Sequence, residues 1–164
     1  MKRAFSALLV FCSVLALSSA TGGVAQAAYG DACYQVHVAD YGWQPWQCGS
    51  RPAGSTGENK AIEAVRIQIK NGGTFCAAAH IRNVGWQPEG GLWCVGSGQT
   101  VEVGTVGRGL PLEAVMVQVS SKELAGQAHV QNVGWMDAVY GSRIIIGTTG
   151  RGLNLEAMTL TLRG

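Results

Sequence analysis

Three histidines, three tryptophans and three glutamates stand at matched positions in this 164-residue chain, and each set has chemistry open to it. His37, His80 and His129 each precede a tryptophan, Trp43, Trp86 or Trp135, by six residues, in VHVADYGWQ, AHIRNVGWQ and AHVQNVGWM. A second block follows each time: GSTGENKAIEAVRIQIK, GTVGRGLPLEAVMVQVS and GTTGRGLNLEAMTLTLR, carrying Glu63, Glu113 and Glu156. Three equivalent imidazoles could converge on an axis and hold zinc with an open fourth position. No acidic residue lies near them in sequence to orient the rings, and no metal or other cofactor is expected. One glutamate per copy gives a single acid, where glycoside hydrolysis needs a pair across a cleft. There is no Gly-x-Ser-x-Gly, and the Gly-Arg-Gly turns at Arg108 and Arg151 are too short for a phosphate loop. The expectation is a protein without catalytic residues.

Tryptophan offers a different chemistry, a flat face for a sugar ring, with Asp40, Asn83 or Asn132 as neighbouring hydrogen-bonding groups. If His-to-Trp is one regular strand, His129, Gln131, Val133 and Trp135 share a face, and the same parity sets Arg82 beside His80 and Trp86. The plainer reading makes each repeated Trp a corner of the core. Trp46 and Trp93 are absent from the third copy and fall in loops, which makes them the better ligand candidates. The glutamates share parity with Val65, Val115 and Met158 and are expected to be buried. A buried carboxylate needs partners, either the His of the same copy or N–H groups of the glycine-rich turn.

The elements that position these residues follow from the repeat. In the closing blocks Val65, Ile67 and Ile69 alternate with Arg66, Gln68 and Lys70, and the other two copies repeat the alternation, as half-buried strands do. The copies run roughly over 34–70, 77–121 and 127–163. Their Trp-to-Glu separations of 20, 27 and 21 residues place an insertion in the second copy, within EGGLWCVGSGQT, where a surface loop is expected. A unit of this size cannot close a core alone, so three should pack about a common axis. A solenoid is the open alternative, but neither end carries a distinct polar cap. The expected fold is all-β and pseudo-threefold, a β-prism, with a β-trefoil as the alternative.

Residues 1–27 read as a secretory signal peptide: a basic start, an apolar run from Ala4 to Leu17, and a small-x-small site at Ala25-Gln26-Ala27. One β domain over 28–164 is then expected outside the cell. Cys12 lies in the apolar run without the small residues before it that a lipoprotein signal needs. Of the 12 Lys and Arg, Lys2 and Arg3 fall in the leader, leaving ten against ten acids. A near-neutral protein without a basic cluster is a poor partner for nucleic acid or an anionic membrane surface. No segment reaches the ~20 apolar residues of a spanning helix.

The four remaining cysteines allow three pairings. Cys33 and Cys76 each precede their Trp by ten residues, Cys48 and Cys94 each follow it, and the third copy lacks both positions together. Bonds internal to a repeat are expected, Cys33 with Cys48 and Cys76 with Cys94. Export favours disulfides over a metal, and no Cys-x-x-Cys pair starts a zinc site.

HVQNVGW followed by GTTGRGLNLEAMTLTL resembles the clostridial hydrophobic repeat with a conserved Trp, ChW, which also occurs in secreted actinobacterial proteins. The second copy matches at His80, Asn83, Gly85-Trp86, Gly107, Leu110 and Leu112-Glu113-Ala114. The first departs most, with Asp40-Tyr41 for Asn-Val and Glu58-Asn59-Lys60 for Arg-Gly-Leu. The resemblance implies an extracellular, non-catalytic module that binds polysaccharide or another extracellular protein.

Overall fold

The structure, a computed structural model, describes residues 30–164; the expected leader, its cleavage site and Cys12 lie outside them. Each repeat contributes five strands. The first has β1 (Ala32–Val38), β2 (Gly42–Trp43), β3 (Gln47–Cys48), β4 (Ala53–Gly54) and β5 (Ile62–Ile69). The second has β6 (Phe75–Ile81), β7 (Gly85–Gln87), β8 (Trp93–Val95), β9 (Thr100–Gly104) and β10 (Leu112–Val119). The third has β11 (Glu123–Val130), β12 (Gly134–Trp135), β13 (Val139–Gly141), β14 (Arg143–Gly147) and β15 (Leu155–Arg163).

Three antiparallel sheets result, and none is made from one repeat alone. The first sheet runs β2-β1-β5-β9, with β3 also on β1, so its last strand comes from the second repeat. The second sheet takes β14 from the third repeat, and the third takes β4 from the first. Every repeat thus gives one strand to the sheet before it, around a cycle. Among the described residues no barrel closes, whereas a β-trefoil is built on one. No helix of the described residues is long and apolar enough to cross a membrane.

Strict alternation explains the core. Along β1, Ala32, Tyr34, Val36 and Val38 are fully buried, while Cys33, Gln35 and His37 face outward. The closing strands β5, β10 and β15 bury Val65, Val115 and Met158 on the inner side in the same way.

The stretch from His to Trp departs from the regular strand expected of it. It is a tight hairpin: Tyr41, Val84 and Val133 N–H donate to the carbonyls of Val38, Ile81 and Val130. Asp40, Asn83 and Asn132 sit at the tips with φ of 67°, 61° and 61°. Asp and Asn tolerate this left-handed region best among non-glycine residues, which accounts for their type at the tip. His and Trp consequently meet as direct cross-strand partners, His37 with Trp43, His80 with Trp86 and His129 with Trp135. Arg82, in the turn, lies in no strand face beside them; it reaches the third repeat instead.

The donated strands are unequal. β9 and β14 each pair over five residues, but β4 pairs only through Gly54 with Ala157 and Ala53 with Met158. Pro52, just before it, has no N–H to extend the ladder. Tyr34 reaches in where the strand stops. Its hydroxyl lies within hydrogen-bonding reach of the carbonyls of Gly49, at 2.9 Å, and Arg51. Burial pushes this hydroxyl up to about 12, against a hydrogen bond with the Leu160 backbone that lowers it. In the unfolded chain it ionises near 10, so its contribution is complete below pH 10 and is lost as pH rises toward 12. Relative to Tyr34→Phe, the protein is expected to lose about 1.4 kcal/mol by pH 11. Urea unfolding of both proteins from pH 8 to 11 measures this; parallel profiles would show that Tyr34 ionises normally in the fold.

Candidate functional site

The glutamate of each repeat occupies a β-bulge. The ladder between β1 and β5 pairs His37 with Ala64 and Val38 with Ile62, leaving Glu63 without a partner. Glu113 and Glu156 are skipped in the same way between β6 and β10 and between β11 and β15. The extra residue re-aims the side chain, as bulges do. Parity with Val65 therefore describes the burial of Glu63 but not its direction, which is toward the outward-facing His37.

The carboxylates are buried, with Glu63, Glu113 and Glu156 only 7, 2 and 4 % exposed. Their Oε2 atoms lie 3.1, 2.9 and 3.0 Å from Nδ1 of His37, His80 and His129. In none of the three is a ring N–H well aligned along that line, so each pair is a close contact rather than an aligned hydrogen bond. On its other side each imidazole meets its Trp edge-on, with centroids 5.4, 5.3 and 5.5 Å apart and planes at 80°, 80° and 78°. The three Glu-His-Trp units lie in three different sheets, so the histidines do not share one site.

Each unit also marks a seam between repeats. The carbonyls of Glu63, Glu113 and Glu156 accept N–H groups of Thr105, Thr148 and Ser55, each from the repeat that donates the strand. Gly104, Gly147 and Gly54 stand just before these residues, at φ of 98°, 114° and 114°. A Cβ on any of them would collide with the glutamate carbonyl and the following alanine. Glu113 Oε2 further accepts Gly150 N–H at 3.1 Å. Across the same seam Arg82 donates to the Gly152 carbonyl at 2.6 Å, and at the next seam Gln131 donates to Asn59.

A family model described as Clostridial hydrophobic W matches residues 37–71, 80–121 and 129–164, each span opening on the histidine of a unit. The chain belongs to the Clostridial hydrophobic W family. No curated protein and no solved structure matches it. Two disulfides in so small a ChW protein agree with an oxidising, extracellular setting.

The three ChW units differ in how far the Trp is covered. The Arg66 guanidinium stacks 4.0 Å from the Trp43 ring, and its Nε is held 2.7 Å from Glu102 Oε2 on the donated β9. Met116 takes that place in the second repeat, with Arg143 Nε 3.1 Å from its sulfur. Thr159 takes it in the third, and Trp135 is 42 % exposed. The signal is legible as VRIQ, VMVQ and MTLT after the Glu-Ala pair, but parity alone assigns no meaning to it.

Asp40, Asn83 and Asn132 are positioned by the hairpins, so proximity to Trp is not what selects them. Asp40 is taken up by Lys60 at 2.6 Å, whose hydrogen bond and charge hold its carboxyl below the usual range. Asn83 lines a cavity of about 390 Å³ at the seam with His80, Glu113 and Gly150. Asn132 is exposed.

Trp46 lies in a loop as expected, whereas Trp93, also expected in a loop, opens the short strand β8 and pairs with Ala77 of β6; each lines a cavity. The structure forms Cys33–Cys48 and Cys76–Cys94, each joining directly paired residues of neighbouring strands. Trp46, 43 % exposed, shares a cavity of about 460 Å³ with the first bond and with Asp31, Gln68 and Lys70. Trp93, 56 % exposed, shares one of about 280 Å³ with Gln87, Glu89 and Arg108 over an apolar floor of Ile81 and Leu110. The second-repeat insertion builds this wall.

Proposed function

We propose that this ChW protein is an exported, non-catalytic module that binds glycan at the cell exterior. The observation that carries the reading is the pair Trp46 and Trp93, each exposed, each in a cavity with both charged and amide side chains, and each close in sequence to a disulfide, at Cys48 and Cys94. An aromatic face with a few placed polar groups suits a sugar ring. The glutamates support the absence of catalysis, since each is buried beside its own histidine at a seam. We take the three sheets as the sides of a prism about a pseudo-threefold axis; the cyclic strand donation supports this arrangement.

Intrinsic fluorescence tests the reading. Titration with soluble cell-wall and plant polysaccharides is expected to give a saturable blue shift, reduced in Trp46→Ala and Trp93→Ala. A panel without response would overturn the glycan reading and point to an extracellular protein partner.

A further inference from the structure

Two rows of paired residues lie side by side on the outward face of each repeat, where its opening strand begins. In the first repeat one row is Cys48, Cys33 and Gln68, and the next is Asp31 and Lys70, joined by the Lys70 N–H donating to the Asp31 carbonyl at 2.7 Å. The second repeat has Cys94, Cys76 and Gln118 in the first row and Thr74 and Ser120, without charge, in the next. The third has Tyr140, Ala125 and Thr161, then Glu123 and Arg163, and its guanidinium already lies over the Tyr140 ring at 4.9 Å. A charged row beside a disulfide therefore belongs to the first repeat alone.

The charges of that row do not cancel. Asp31 Oδ1 accepts Asn71 Nδ2 at 2.9 Å, and its Oδ2 lies 3.9 Å from Lys122 Nζ. Of the described lysines, Lys60 pairs with Asp40 and Lys122 with Asp31, while Lys70 makes no ion pair. Lys70 is exposed and lines the Trp46 cavity, in which Asp31 is the only acid among the described residues. Two ammonium groups are thus set against one carboxylate, a local surplus of positive charge in a near-neutral domain. Gln68 Nε2 donates to the Gly98 carbonyl at 2.9 Å, which leaves its Oε1 as an acceptor. The Trp93 cavity, by contrast, holds one charge of each sign, Glu89 and Arg108.

We propose that the Trp46 cavity selects an acidic sugar, a uronate unit of a polysaccharide. Lys70 takes the carboxylate, Trp46 the face of the sugar ring and Gln68 Oε1 a hydroxyl. The inference rests on the reading of the protein as a glycan-binding module and names the ligand class of one of its two cavities. One ammonium without a partner matches one carboxylate. A phosphate monoester, with roughly two charges and three strong acceptor oxygens, would find too few donors here. The Trp93 cavity, balanced in charge, gives no such preference.

Calorimetry on the full chain tests this with oligomers of galacturonate and of glucuronate, each beside its carboxyl-reduced, neutral counterpart. For at least one of the two sugars the wild type is expected to bind the uronate chain about fivefold more tightly than the reduced chain at low salt, and the gap should narrow as salt is raised. Lys70→Gln should bring the two chains to equal affinity while binding of the reduced chain is unchanged, which shows that the cavity itself is intact. Asp31→Asn keeps the acceptor for Asn71 and removes the opposing charge, so it should strengthen uronate binding about threefold. Equal affinity of the wild type for both chains, a preference that survives Lys70→Gln, or no gain in Asp31→Asn overturns the acidic ligand and leaves the glycan reading standing. Failure to bind either uronate chain overturns it as well, and a polysaccharide panel that is also silent takes the glycan reading with it.

Discussion

Gly104→Ala is expected to destabilise the fold by about 3–5 kcal/mol, among the largest effects a single methyl group can have. Two causes add. The residue sits at φ 98°, where a side chain is strained, and the new Cβ meets backbone, the Glu63 carbonyl and the Ala64 Cα, which cannot rotate away. Gly57→Ala is the control. It has φ 77° but open space around the missing Cβ, so only the conformational part remains, about 1 kcal/mol. Chemical unfolding of the two variants separates strain from collision. Equal losses would mean that the donated strand can step back from the bulge, and that the seam is softer than its geometry.

Removing a disulfide is the second large effect. Cys33–Cys48 and Cys76–Cys94 span 15 and 18 residues, and closing loops of that length stabilises by about 3 kcal/mol each in the chain-entropy model. Replacing Cys76 and Cys94 together by serine should therefore lower unfolding free energy by about that amount. The loss should also be local in function. β8 is a three-residue strand holding Trp93 to β6, and without the bond it keeps only its short ladder. Ligand-dependent fluorescence from Trp93 is expected to fall while the response of the first repeat persists. Full stability with an undiminished Trp93 signal would show that the insertion packs without its covalent tie.

The repeats, the all-β class and the pairing of the cysteines are legible because period and alternation are properties of the chain itself. Val65, Ile67 and Ile69 announce an inner face whatever sheet they join. The destination of Gly104 is not legible. Read locally it belongs to a turn within the second repeat, yet it ends a strand of the first sheet, and only a non-local neighbour, the Glu63 bulge, explains why it must be glycine. Period-two reasoning also fails at Asn132, where left-handed backbone at Asn132 and Gly134 reverses the chain and turns a supposed strand into a hairpin. The direction of Glu63 is hidden for a related reason, because a bulge shifts parity by one without changing composition. The covering of Trp43 by Arg66 depends on two strands meeting side by side, a fact that spacing within one strand does not contain.

The cyclic gift of strands also sets an order of events for folding. Sheets one and two can be completed by neighbours in the chain, but the third needs Ala53–Gly54, among the earliest strands, to meet Ala157–Met158, in the last. That contact closes most of the described chain into one loop, and pairings so distant in sequence are slow to form. A fragment ending after the second repeat would hold an edge strand with nowhere to go and no strand β14 for its own second sheet. The number of repeats is thus counted by geometry, and a nascent chain cannot finish its first repeat until its last has emerged.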